Sequence, residues 1–105
     1  MELEIQQSER DGKTLITVRG EVDLYSSPKL REAVTKAAAK LDGDVHVDLR
    51  AVPYMDSSGV ATLVEGYRAA NDHKKKLVLI APSHAVLKVL QLSRLDSVFT
   101  IRDEA

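Results

Sequence analysis

The run Leu77-Val78-Leu79-Ile80-Ala81 is nearly continuous apolar sequence. So short and so apolar a run reads as a strand buried on both faces, the mark of a parallel sheet rather than of a half-solvated hairpin. Its neighbours supply what a parallel sheet requires. Upstream, Val45, Val47 and Leu49 alternate with His46 and Asp48 as another strand. Between the two strands Val60, Leu63, Val64 and Tyr67 recur at helical spacing, with Thr62, Glu65 and Arg68 on the other side of the helix. Asn71-Asp72-His73, followed by Lys74, Lys75 and Lys76, is expected to end that helix on a basic last turn, as the helix dipole prefers.

The same reading extends to both ends of the chain. Leu3 and Ile5 alternate with Glu2, Glu4 and Gln6 as a half-buried strand, and Asp11-Gly12 is a tight-turn signal. Thr14 to Arg19 is a second strand ending at Gly20, so the chain starts with a hairpin. Ser26 or Ser27 caps the next helix, with Pro28 in the first turn and an apolar face of Leu30, Val34, Ala37, Ala38 and Leu41; Asp42-Gly43-Asp44 ends it. Pro82-Ser83 opens a third helix, His84 to about Leu92, carrying Val86, Leu87, Val89 and Leu90. Val98-Phe99-Thr100-Ile101 reads as a short last strand. The order is ββαβαβαβ. It specifies a single α/β domain over residues 1–105, with a mixed, mostly parallel sheet and helices packed mainly on one face.

Composition narrows the function. With 44% hydrophobic residues but only three Tyr, one Phe and no Trp, the core is built from Val, Leu, Ile and Ala. Fifteen basic and sixteen acidic residues are well mixed, for a net charge of −1, so no basic stripe marks a nucleic-acid binder. The absence of cysteine excludes disulfides, thiol catalysis and Cys-based zinc sites. His46, His73 and His84 are scattered without a zinc spacing and read as structural or surface residues; no metal or cofactor is expected. Met1 to Ile5 lacks a basic region followed by an apolar run, so no signal peptide is expected. No apolar stretch approaches the roughly 20 residues of a membrane span, and the expected location is the cytoplasm.

Chemistry concentrates in Tyr54-Met55-Asp56-Ser57-Ser58-Gly59-Val60, where a strand gives way to a helix. Two hydroxyls there face unpaired first-turn N–H groups and the positive end of the helix dipole. A phosphate on Ser57 would find ready donors and, beside Asp56, would sharply change the local field. That pattern suits a switch better than a catalyst. On the motif alone Ser57 and Ser58 are a helix cap and a first-turn residue, and Asp56 is itself a possible cap. Gly59 is expected to permit close packing or partner approach. Tyr25, Tyr54 and Met55 flank the turns; each is a core candidate, or, if exposed together, an apolar anchor for a partner.

With the strand and helix order in place, the chain resembles the STAS domains of bacterial anti-sigma factor antagonists along essentially its whole length. Two motifs carry the resemblance: Gly20-Glu21-Val22-Asp23 at the end of the second strand, and Tyr54 to Val60. The resemblance implies that the unphosphorylated protein binds an anti-sigma factor, which is also a serine kinase of the histidine-kinase-like ATPase class, and so frees the sigma factor. It implies phosphorylation of the serine directly after the motif's Asp, here Ser57, which abolishes binding. A metal-dependent serine phosphatase would restore the active form. Asp23 matches a family acidic residue close to that serine, although it also suits a role satisfying backbone donors in its loop. Ser58 is assigned to packing or capping. The switch surface implied is Asp23, Tyr25, Tyr54, Met55, Asp56, Ser58 and Gly59 around Ser57, on a protein that is a monomer when free. Family members often carry a further C-terminal helix, for which the tail Arg102-Asp103-Glu104-Ala105 is too short.

Two other functions compete. A hydrolase nucleophile elbow needs a glycine two residues before the serine, where this chain has Met55, and no glycine-rich phosphate loop is present, so an enzyme is not expected. STAS-like subunits also regulate the ATPase of lipid-transport ABC complexes, and partner switches also control secretion or signalling. The intact Asp-Ser-Ser-Gly favours the phosphorylation-controlled switch.

Overall fold

Asp11 and Gly12 both take positive φ, 53° and 76°. That is the twist a two-residue turn needs to fold antiparallel strands back on each other, and Arg10 pairs with Lys13 across it. In the computed structural model, which describes residues 3–40 and 43–104, this hairpin begins the order β1 (Glu4–Arg10), β2 (Lys13–Arg19), α1 (Ser27–Lys40), β3 (Val45–Ala51), α2 (Ser57–Asp72), β4 (Leu77–Ile80), α3 (His84–Leu92), β5 (Thr100–Arg102). The expected ββαβαβαβ order is therefore the one observed.

The strands lie in the order β1-β2-β3-β4-β5, with β1 antiparallel to β2 and every later pair parallel. Each strand–helix–strand unit steps one place in the same direction. Right-handed crossovers then put all three helices over one face of the sheet. The core agrees: Leu30 and Val34 of α1, Leu63 of α2, and Val86 and Leu90 of α3 form one buried cluster with Ile16, Val47 and Leu79 of the strands. Val78 and Ile80 are also buried but lie outside that cluster. They point to the helix-free face, so β4 is apolar on both sides without a second helical layer.

Several local expectations change with packing. Thr62 is buried, not solvent-facing, because α2 carries two buried stripes. One meets the sheet; the other meets α1, and at Gly66 an added Cβ would lie 2.3 Å from Val34 Cγ1. The lysines 74–76 lie beyond α2, which has no basic residue in its last turn. Instead His73 caps the helix, Lys74 turns left-handed (φ 58°), and the Lys75 N–H returns to the Ala70 carbonyl. Helix α3 ends in the same way, with Arg94 at φ 59° and the Leu95 N–H on the Leu90 carbonyl. Val98 and Phe99 precede β5 rather than belonging to it; Phe99 turns inward and meets Tyr67 edge to face at 5.9 Å. Glu2, Leu41 and Asp42, read above as strand and helix-end residues, lie outside the described residues.

Candidate functional site

Two loops at the carboxyl end of the sheet are stitched together by backbone pairing. Leaving β3, the chain makes a turn in which the Val52 N–H bonds the Leu49 carbonyl. The Ser83 hydroxyl, at the start of α3, donates to the Val52 carbonyl at 2.7 Å and pins that turn. Three residues on, Met55 forms an isolated parallel bridge with Val22, from the loop after β2. The Val22 N–H donates to the Tyr54 carbonyl at 3.0 Å, and the Asp56 N–H donates to the Val22 carbonyl at 3.1 Å. The bridge places Asp23 and Asp56 each one residue beyond a paired position.

Asp56 is the N-cap of α2. Its backbone is extended (φ −99°, ψ −171°), and its Oδ1 accepts from the Ser58 N–H at 2.9 Å and the Gly59 N–H at 3.4 Å. The Ser58 hydroxyl donates to the same oxygen. Such a cap stabilises a helix by about 1 kcal/mol. It also changes one expectation: the first-turn donors are not open to a phosphate on Ser57, because Asp56 already uses two of them. Ser57 begins the helix, is exposed, and its hydroxyl has no hydrogen-bond partner among the described residues. Ser58 is half-buried.

The neighbouring loop is equally ordered. Asp23 Oδ1 accepts from the Tyr25 N–H at 2.9 Å and the Ser26 N–H at 3.0 Å. The Ser26 hydroxyl accepts from the Asp23 N–H and donates to the Glu21 carbonyl, both at 2.9 Å. The Ser27 N–H closes the turn on the Asp23 carbonyl at 2.8 Å. The Ser26 N–H, then the Ser26 hydroxyl and the Tyr25 N–H, hold the Asp23 carboxyl below its ordinary value by bonding its ionised form. This reciprocal turn presents Leu24 and Tyr25 to solvent, at 67% and 91% exposure, next to the half-exposed Tyr54.

Between the starts of α1 and α2 runs a groove of about 240 Å³, lined by Leu24, Pro28, Ser58 and Ala61 and crossed by Arg31 and Glu65. Arg31 Nε lies 3.6 Å from Glu65 Oε2, with both side chains about half exposed. The groove holds Leu24, one of the three exposed apolar side chains, and Ser58, the neighbour of Ser57 in sequence; these residues mark the candidate contact surface. Leu24 was missed in the sequence; an apolar residue inside a turn-rich connection is the signal that could have found it. Arg31 and Glu65 had no signal, since both read as ordinary solvent-facing helix residues.

Of the residues assigned to this surface from sequence, Tyr25 and Tyr54 are exposed, and Asp23, Asp56 and Ser58 are half-buried, Ser58 lining the groove. Met55 and Gly59 do not reach the surface. Met55 is 1% exposed and Gly59 is buried. A Cβ on Gly59 would lie 2.4 Å from Met55 Cγ and 2.8 Å from Val22 Cγ1. The pair forms the floor beneath the loops, not the surface above them. No group of three or more His, Asp or Glu side chains is arranged to hold a metal ion among the described residues.

A sequence model of the family described as "Mlab, STAS domain" matches residues 5–102. The chain belongs to the STAS domain family. An anti-sigma-B factor antagonist of Listeria monocytogenes is 30% identical to this STAS domain over 104 residues, covering 98% of this chain and 91% of that protein. Among solved structures, an anti-sigma factor antagonist from Mycobacterium paratuberculosis shares the fold with a TM-score of 0.86 at 24% identity, over 96% of this chain and 86% of its own. So does the antagonist SpoIIAA in its unphosphorylated form, with a TM-score of 0.79 at 23% identity, over 93% and 87% of the two chains. SpoIIAA of Bacillus has also been solved in a phosphorylated form. Both motifs behind the resemblance fall in the paired loops of this STAS domain, on either side of the Val22–Met55 bridge. No described helix of the domain is long and apolar enough to cross a membrane.

Proposed function

We propose that this STAS domain is a phosphorylation-controlled partner switch. In its unphosphorylated form it binds an anti-sigma factor that is also a serine kinase of the histidine-kinase-like ATPase class, and so releases a sigma factor. The kinase phosphorylates Ser57, and a metal-dependent serine phosphatase reverses the modification. The domain itself performs no catalysis. The observation that carries this reading is the contrast between the two serines: Ser57 is exposed and its hydroxyl is unbonded among the described residues, while the Ser58 hydroxyl is held by Asp56.

The physics of the switch is local. Phosphorylation adds about −1.5 to −2 charges at neutral pH. Asp56 already occupies the first-turn donors, so the phosphate stays on the surface beside one or two carboxylates. It repels an acidic or desolvated partner face without any refolding of the domain.

The test is a pull-down from the source organism's lysate, with the wild type and Ser57→Asp as baits and mass spectrometry of what they hold. Capture of a histidine-kinase-like ATPase by the wild type, weakened about tenfold or more in Ser57→Asp, supports the switch; tenfold corresponds to about 1.4 kcal/mol. Ser57→Ala should retain binding and take up no phosphate from the captured kinase. Phosphate incorporated elsewhere would remove Ser57 from its role. Recovery of ABC-transporter subunits with both baits would assign the domain to transport and leave Ser57 as a first-turn residue.

A further inference from the structure

The face of the sheet opposite the helices carries a half-open cavity of about 230 Å³, lined by Arg10, Asp11, Lys13, Leu15 and His46. It lies at the amino ends of β2 and β3, the far end of the sheet from Ser57. The strand period of two explains its makeup. Lys13 and Leu15 share one face of β2; Arg10 pairs with Lys13 across the hairpin, and Leu15 pairs with His46 on β3. Two cations therefore stand at the rim, and an aliphatic side chain and an imidazole form the floor.

His46 is 4% exposed; its backbone is paired in the sheet, and its ring has no side-chain hydrogen bond among the described residues. Among those residues neither ring nitrogen is a buried polar atom left without a partner, so the ring opens onto the cavity, where a ligand can hydrogen-bond it in place of water. Two acidic groups lie nearby. The Asp44 carboxylate accepts the Lys76 N–H at 2.9 Å; Asp11 lines the cavity with Arg10 and Lys13 and offsets one of their two charges. On the far side, Arg102 of β5 adds positive charge toward the ring.

We propose that this cavity is a binding site for a small phosphomonoester, whose phosphoryl group sits between Arg10 and Lys13 and hydrogen-bonds the His46 ring while its organic part lies over Leu15. The donor set fits that class. Arg presents a planar fork and Lys a point charge to phosphoryl oxygens. Burial first, then Lys13 and Arg102, lower the His46 pKa, with Asp44 opposing. The ring is therefore neutral near pH 7, with one N–H to donate and one nitrogen to accept from the P–OH of a monoanion. The cavity is below the size of drug-sized pockets, about 300–1,000 Å³, which restricts it to small esters or free phosphate.

The experiment is an NMR titration of the full chain, at constant ionic strength, with inorganic phosphate and with phenyl phosphate. The expected result is saturable shifts confined to residues 10–15 and the His46 ring, with phenyl phosphate binding more tightly than phosphate. Lys13→Ala and Arg10→Gln change exposed side chains, so the amide signals of α2 should be unmoved while affinity falls about tenfold or more. Equal affinity for the two probes reduces the site to free phosphate and overturns the ester. Shifts that rise linearly without saturation, or that persist unchanged in Lys13→Ala, overturn the site.

Discussion

Val22 and Met55 pair backbone to backbone outside every strand of the sheet, and both side chains are buried beneath the loops they join. The bridge couples the end of β2 to the start of α2. Through it, two sequence motifs separated by more than thirty residues become one surface. Gly59 completes the joint, because its missing side chain is the space that Met55 and Val22 occupy.

Gly59→Ala should therefore destabilise the domain, although Ala is favoured over Gly in a helix by about 1 kcal/mol. Overpacking costs about 1–3 kcal/mol, and here the nearest atoms are Met55 Cγ at 2.4 Å and Val22 Cγ1 at 2.8 Å. The denaturation midpoint should fall. A midpoint at or above the wild-type value would mean that the Val22–Met55 joint yields freely.

Asp56 separates charge from hydrogen bonding. Asp56→Ala should lose about 1 kcal/mol, the usual value of an N-cap. Asp56→Asn keeps an acceptor oxygen and should recover most of that stability while removing the negative charge next to Ser57. Urea melts of the three proteins give the answer; equal losses in Ala and Asn would show that the carboxylate charge, not the cap, supports α2.

Gly66 is where α2 approaches α1. Gly66→Ala places a methyl 2.3 Å from Val34 Cγ1 and should cost about 1–3 kcal/mol. Val34→Ala alone leaves a cavity and is destabilising in its own right. Combined, the two changes should be less damaging than the sum of the singles, since one supplies the volume the other removes. Strict additivity in a double-mutant cycle would refute direct contact.

His46 gives the domain a pH-dependent component of stability. Its pKa is lowered from 6.5 by burial, then by Lys13 and Arg102. The unfolded chain thus takes up the proton first. This component is fully present above the ordinary value of 6.5 and is lost as the pH falls through the lower folded value. His73 and His84 are exposed. Thermal melts between pH 7.5 and 5.5 should show a falling melting temperature for the wild type and a flatter profile for His46→Gln. Parallel profiles would count against burial of the ring.

The elements themselves were legible in the sequence because their signals act over a few residues. Asp11-Gly12 turns, Ser83 caps α3, Asp56 sits where a cap belongs, and the apolar spacing in α1, α2 and α3 has the helical period. The uninterrupted apolar run at β4 likewise placed a parallel pair in the middle of the chain. Packing between distant segments decided the rest. Met55 read as core or as an anchor, and the pairing with Val22 decides for the core; Thr62 read as solvent-facing, yet it is buried where α2 meets α1. The ends of α2 at Asp72 and of α3 at Leu92 fall where the sequence puts them, and left-handed Lys74 and Arg94 follow just beyond. His46 alternates with apolar neighbours like any strand residue, and only the register against Leu15 sets it in a cationic cavity. Propensity and periodicity belong to a segment and are written in it. Burial belongs to a pair of segments, and exists only once the sheet order and the crossovers have brought them together.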